Sequence, residues 1–208
     1  MAEENQVKTF RGRNHHDEVM IINVPTDLPS SEGERAIHII RGGKNMNFET
    51  DIFSVFNKRW ALLTAGNKEN FNTMTVSWGG LGTIWGKPVA TVYVRTSRYT
   101  HEFMDREDYF TVSFYPEECR KVLGVLGSKS GRDMDKMKNS GLTAKELSKS
   151  MTFKEAEVTL VCRKLFMQRL EPSNILDPDS AKFYEGDAPH DMYIGEVVEI
   201  INENTDSI

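Results

Sequence analysis

Lys87–Met104 reads KPVATVYVRTSRYTHEFM, and this stretch decides the fold. Its first half is β-branched and opens on Pro88, where a missing N–H matters least in a strand. Its second half, continuing to RYTHEFMDR, has the length and spacing of about two helical turns. A strand therefore feeds a short helix through Arg95-Thr96-Ser97-Arg98-Tyr99-Thr100.

The same grammar extends in both directions. FNTMTVSWGG alternates polar and apolar residues and ends at a glycine pair, so it is expected to be a strand. WALLTAG is a short apolar run closed by Gly66 and a polar loop, and also reads as a strand. DYFTVSFYP alternates and stops at Pro116. PEECRKVLGVLGS reads as helical, SGRDMDKMKNSG as a glycine-bounded second helix, and LTAKELSKS as a turn or short helix. FKEAEVTLVCRKLFMQRL supplies one or two strands, PSNILDPDSAKFYEGDAPH a long loop, and DMYIGEVVEIINE a closing strand. Strands with short helices and long connections favour a mainly β barrel over a repeating βαβ sheet.

Upstream, NFETDIFSVFNKRW places Phe48, Ile52, Phe53, Val55 and Phe56 on one helical face, with Thr50 or Asp51 as the cap. Residues 1–45 differ from the body. They are polar, contain VPTDLPSSEGE, and hold two short apolar runs, Val19–Val24 and Ala36–Ile40. A hairpin added to the main domain and an arm docked on a partner subunit are the two options. The expected organisation is an extension over 1–45 and one domain over 46–208.

Composition narrows the class. The chain has 208 residues, with 26 Lys and Arg against 31 Asp and Glu, a net charge of −5. That balance argues against a general nucleic-acid binder, whose affinity comes from neutralising phosphates. No run of 18 apolar residues predicts a membrane span. The first 20 residues hold no apolar block, so no secretory signal is expected. Cys119 and Cys162 are far apart and form no CxxC pair. The expected compartment is the cytoplasm.

Several motifs fail on spacing. GGLGTIWGKP is not GxGxxG, because Trp85 stands where the third glycine belongs. It is not a phosphate loop of the G-x-x-x-x-G-K-[ST] type either, because Pro88 follows Lys87. A tight turn between strands is the simpler account. His15-His16 has no ligand partner at suitable spacing, and no G-x-S-x-G elbow anchors a nucleophile.

Three segments carry chemistry. The Arg95–Thr100 junction offers two guanidinium groups and three hydroxyls at a helix N-terminus, a combination suited to a terminal phosphate. The plain alternative is a helix capped by Thr100 with its arginines in solvent. Lys129-Ser130-Gly131-Arg132-Asp133-Met134-Asp135-Lys136 is a Gly-Ser turn opening toward basic residues, which lets backbone N–H groups approach a ligand. Its alternative is an exposed charged loop. In Asn72–Trp78, alternation puts Asn72, Met74, Val76 and Trp78 on one face and Thr73, Thr75 and Ser77 on the other. That first face suits a planar heterocycle, or a tryptophan in the core.

WALLTAG, NTMTVSWGGLG, KPVATVYVRTSRYTHEFM, YFTVSFYPEECRKVLGVLGSKSGRDMDK and HDMYIGEVVEI together resemble the flavin reductase-like family, the FMN-binding split-barrel group that includes flavoredoxin. The resemblance runs from about Asn47 to Glu203. It implies a split β-barrel that dimerises and holds FMN near the subunit interface. By it, Asn72, Thr73, Met74, Thr75, Ser77 and Trp78 line the isoalloxazine ring. Arg95, Ser97, Arg98, Tyr99 and Thr100 form the phosphate end. Lys129, Ser130, Gly131, Asp133 and Lys136 approach from the second turn, with Lys136 placed to stabilise reduced flavin. His190 would stand at the rim, against the ring or an incoming nicotinamide. Residues 1–45 lie outside the resemblance.

The implied activity passes electrons from NAD(P)H through FMN to a small acceptor or free flavin. The alternatives are an FMN electron carrier reduced by a protein partner, and a binding protein for some other planar ligand.

Overall fold

The structure is a computed structural model. It describes residues 48–202 except 129, 133–137 and 139, together with the backbone of the four strands that precede residue 50. The chain divides into two units, Met1–Ile52 and Phe53–Ile208.

The first unit contains two antiparallel hairpins. Strand β1 (Val7–Arg13) pairs with β2 (Val19–Pro25), and β3 (Ala36–Arg41) pairs with β4 (Lys44–Glu49). The two apolar runs noted above thus belong to separate hairpins.

The expected helix over NFETDIFSVFNKRW is not formed. Phe48 lies in β4, opposite Ile37. Only Val55–Arg59 is helical, as one π-type turn whose N-cap is Ser54 rather than Thr50 or Asp51. The apparent helical face misled because its members do different things. Val55 and Phe56 are buried, while Phe53 is 89% exposed.

The second unit is built on a seven-stranded antiparallel sheet. Its strands are β5 (Ala61–Gly66), β6 (Phe71–Val76), β7 (Gly79–Ile84), β8 (Lys87–Arg95), β9 (Tyr109–Phe114), β12 (Val158–Arg169) and β13 (His190–Asn202). They lie in the order β6-β5-β9-β12-β13-β8-β7. A separate hairpin joins β10 (Ala144–Glu146) to β11 (Met151–Phe153), so LTAKELSKS contributes a strand where a turn or short helix was expected. Gly79–Ile84 is likewise a strand. The tight turn is confined to Trp85 and Gly86, whose φ angles of 53° and 68° suit a primed two-residue hairpin.

The central strands are buried on both faces, as β5 shows along its whole length. Leu62, Leu63, Val92, Val94, Phe110, Val112, Phe114 and Leu160 are each at most 1% exposed. Full burial of such side chains stabilises the fold by about 1.5–3 kcal/mol apiece. Helix α1 (Tyr99–Arg106) inserts Phe103 and Met104, and α2 (Arg120–Ser128) inserts Leu123 and Leu126. The connection after β12 carries a 3-10 turn at Pro172–Asn174, the short helix α3 (Pro178–Ala181) and a second 3-10 turn at Lys182–Tyr184.

The closing strand β13 pairs with β12 on one side and β8 on the other, placing His190 directly opposite Arg95. No helix among the described residues is long and apolar enough to cross a membrane.

Candidate functional site

Strands β6 and β8 stand far apart in the sheet order, yet their side chains line the same groove. The sheet therefore curls, and the groove lies where its ends approach. Two adjoining cavities share Met74, Arg95 and Arg98. The first is polar, with Asn72, Ser97, Tyr99, Thr100, Ser130, Gly131 and Asp187. The second is aromatic, with Trp78, Tyr93, Phe183 and His190, beside Thr75, Val76 and Ser77.

The polar end begins at α1. Arg98 occupies the N-cap position without a side-chain cap bond. Thr100 is not the cap either. Its Oγ1 accepts a hydrogen bond of 2.8 Å from Asn72 Nδ2, and both residues are buried. The amide of β6 is thus fixed against the helix that opens beside it. Gly131 closes this corner. A Cβ there would fall inside contact distance of Asn72 Oδ1 and 3.0 Å from Tyr99 Cδ1. Glycine at 131 is a requirement of close approach.

The two arginines have different employment. Arg95 Nη1 donates to the Ala188 carbonyl at 2.9 Å and pairs with Asp187 Oδ2 at 2.9 Å. Its Nη2 donates to the Phe183 carbonyl at 3.0 Å. Three of its five N–H donors hold the loop before β13. Among the described residues Arg98 makes one such bond, from Nη1 to the Gly127 carbonyl at 3.1 Å, and its side chain is exposed. Arg95 chiefly tethers the loop, while Arg98 has fewer such commitments among the described residues.

The aromatic end is organised around His190, which is 7% exposed. Burial, then the Arg95 cation, push its pKa down to about 4, so the ring is neutral at pH 7. Its Nδ1 lies 3.1 Å from the Tyr184 hydroxyl. When that hydroxyl donates, the ring proton sits on Nε2, as a donor at the cavity wall. Trp78 stands 5.1 Å from the His190 ring and 5.4 Å from Phe183, the latter edge to face. The next residue, Asp191, is 1% exposed and pairs with Arg169 and His101. Burial raises its pKa, but hydrogen bonds from those two partners outweigh this and hold it below the usual carboxylate value.

Most residues singled out from sequence meet in this groove. Thr73 does not line it. Its Oγ1 donates to the Leu63 carbonyl at 3.2 Å and accepts from Thr64 Oγ1 at 2.9 Å, on the buried side of β6. Thr75 lines the second cavity while donating to the Leu123 carbonyl. Lys129, Asp133 and Lys136 lie outside the described residues. Of the expected second helix, the described residues Ser130–Arg132, Lys138, Ser140 and Gly141 are not helical.

Tyr93, Phe183, Tyr184 and Asp187 were not foreseen. Tyr93 was within reach, since it precedes Arg95 by two along a strand and so shares its face. The loop residues offered only a weaker signal, an aromatic pair within a Pro/Asp-rich connection.

A family model described as the flavin reductase-like domain matches residues 53–207. The chain belongs to the flavin reductase-like family. Solved structures similar to it share the fold, and one of them is described by its split barrel domain. A flavoredoxin from Methanosarcina acetivorans is 24% identical over 79% of this chain and 78% of its own, with a TM-score of 0.54. An FMN-binding protein from Thermus thermophilus with bound 1-cyclohex-2-enone is 22% identical over 70% and 71%, with a TM-score of 0.55. The styrene monooxygenase flavin reductase from Pseudomonas putida S12 is 16% identical over 70% and 80%, with a TM-score of 0.53. No curated protein matches the chain. The mainly β split-barrel fold expected from sequence is the fold of this flavin reductase-like chain.

Proposed function

We propose that this chain binds FMN in the groove and passes electrons from NAD(P)H to a small acceptor or free flavin. One observation carries this. In a flavin reductase-like chain, a groove joins an anion-ready Arg98 to a wall formed by Trp78 and a neutral His190. The polar end suits a phosphate ester. Arg98 offers guanidinium N–H donors, Ser97 a hydroxyl, and the first turn of α1 its backbone N–H groups. The Gly131 turn lies close enough to Asn72 and Tyr99 to wall the ribityl portion.

FMN, when bound, supplies the redox chemistry, because no side chain here is a two-electron carrier. The chain's own residues orient and insulate it. Asn72 is held by Thr100, so its amide presents a fixed face. Trp78 offers a flat apolar surface 39% exposed. Neutral His190 adds no positive charge to the wall, and the Tyr184 hydroxyl at Nδ1 leaves Nε2 as the donor when that hydroxyl donates.

Phe183, edge-on to Trp78 in the second cavity, favours one further reading. It narrows the aromatic cavity beside Trp78 and His190, and a narrowed cavity suits an electron carrier served by a protein partner. Flavoredoxins among the similar structures bear names in keeping with that role.

A visible spectrum of the purified protein, followed by anaerobic addition of NADH and then NADPH, separates the two. Bleaching of a flavin band by either nucleotide supports the oxidoreductase. A band untouched by both supports the carrier. No band after adding FMN refutes both. Assembly as a homodimer is part of the same proposal and rests on the family resemblance. Sedimentation of a flavin-bound monomer would overturn the dimer.

A further inference from the structure

We infer that Asp187 is a specificity-determining residue of the groove, holding down the affinity of its polar end for a phosphate and so keeping the flavin exchangeable. The inference rests on the assignment of that end to the phosphate of FMN.

The first cavity has a mixed electrostatic character. Among its described lining residues the charged ones are Arg95, Arg98 and Asp187. Asp187 brings a carboxylate into a cavity otherwise arranged for an anion. Its Oδ2 is 2.9 Å from Arg95 Nη1, so it already occupies one of the two cations. Its Oδ1 accepts from the Ala188 N–H at 2.7 Å, which fixes the carboxylate at the cavity edge. The side chain is 54% exposed, so it is not a buried structural ion.

Two effects then act in one direction on a dianionic ligand. Asp187 repels it directly, and it neutralises Arg95. Neither acts on a neutral ligand with the same ring and ribityl chain. Riboflavin is such a ligand, and it differs from FMN only in the phosphate. The position of Asp187 therefore predicts weak discrimination between the two flavins, as expected of a protein whose flavin comes and goes. The same carboxylate helps hold the loop bearing Phe183, through Arg95, which explains its presence at a site it weakens.

The test compares the full-length protein with Asp187→Asn and Asp187→Glu, titrating each with FMN and with riboflavin at low ionic strength. Asn keeps an oxygen for Arg95 or for the Ala188 N–H while removing the charge. One removed repulsion across a partly exposed cavity is expected to tighten FMN about tenfold in Asp187→Asn. Riboflavin should stay within about twofold, and Asp187→Glu should not tighten FMN. The FMN gain should shrink at about 1 M salt, where the screening length is about 3 Å.

Equal shifts for both flavins, no shift for FMN, or an equal gain in Asp187→Glu would overturn the role of Asp187 and leave the groove's flavin assignment standing. If the parent protein and both variants bind neither flavin, the flavin assignment itself falls, and the role of Asp187 falls with it.

Discussion

His190 makes the stability of this fold depend on pH in a direction that can be worked out. Its ring is 7% exposed and lies opposite Arg95 across the β8–β13 pairing. Burial and the Arg95 cation lower its pKa from 6.5 to about 4. The folded chain therefore holds the ring neutral, while the unfolded chain takes up a proton near pH 6.5. Below that value the unfolded state binds more protons, so stability falls as pH falls. The contribution is fully present above pH 6.5 and lost as pH drops through the folded value of about 4. The full loss is about 3 kcal/mol, of which about 2 kcal/mol is gone by pH 5.

Replacing His190 with Gln removes the titration and keeps a polar side chain. Urea unfolding of both proteins at pH 7.5, 6 and 5 gives the comparison. The gap between them should change by about 2 kcal/mol across that range, with the parent losing more. Contributions from other titrating groups cancel in the difference. Parallel stability curves would show that the ring is not held neutral and would refute the electrostatic account of this wall.

Gly131→Ala should weaken FMN about tenfold or more, because its Cβ displaces the Asn72 amide or the turn itself. The melting temperature should move little, since Gly131 is half-buried in a turn; unchanged FMN affinity would refute the close-approach argument. Arg98→Ala should cost FMN about tenfold and leave riboflavin within about twofold, as charge-assisted bonds at an exposed site contribute modestly. Equal losses for both flavins in the same titrations would remove Arg98 from the phosphate end. Tyr184→Phe should leave FMN affinity within about threefold but release the His190 tautomer. Nitrogen NMR of the imidazole checks this, and an unchanged pattern would show that the hydroxyl does not set it.

The sequence was most legible where local signals and packing agree. The β8-to-α1 junction reads correctly because β-branched residues, a run of hydroxyls and an amphipathic two-turn segment all point the same way. β9 follows from alternation, and β12 from its β-branched run. The failures share a cause. Phe48–Phe56 has helical spacing, but Phe48 is claimed by pairing with Ile37 and Phe53 by solvent. GGLGTI has poor strand propensity and forms β7 because β8 offers it a partner edge. Thr73 illustrates the limit for the site. It sits between two groove residues in sequence, yet alternation turns its hydroxyl into a buried bond with Thr64. Phe183, Tyr184 and Asp187 reach the groove through the tether of Arg95, a contact across 88 to 93 positions that no local pattern announces.

The placement of the three tryptophans has a practical consequence. Trp60 lies under the Arg120 guanidinium at 3.5 Å, Trp85 is 60% exposed at the tip of a hairpin, and Trp78 stands in the groove between Phe183 and His190. Only Trp78 is in a position to exchange excitation energy with a flavin at van der Waals range. With Trp60 and Trp85 replaced by Phe, its emission becomes a built-in optical reporter. A bound flavin would quench it, and acidification would quench it separately as the neighbouring imidazole takes up its proton. One indole thus reads out occupancy and protonation in a single cuvette, without any added label.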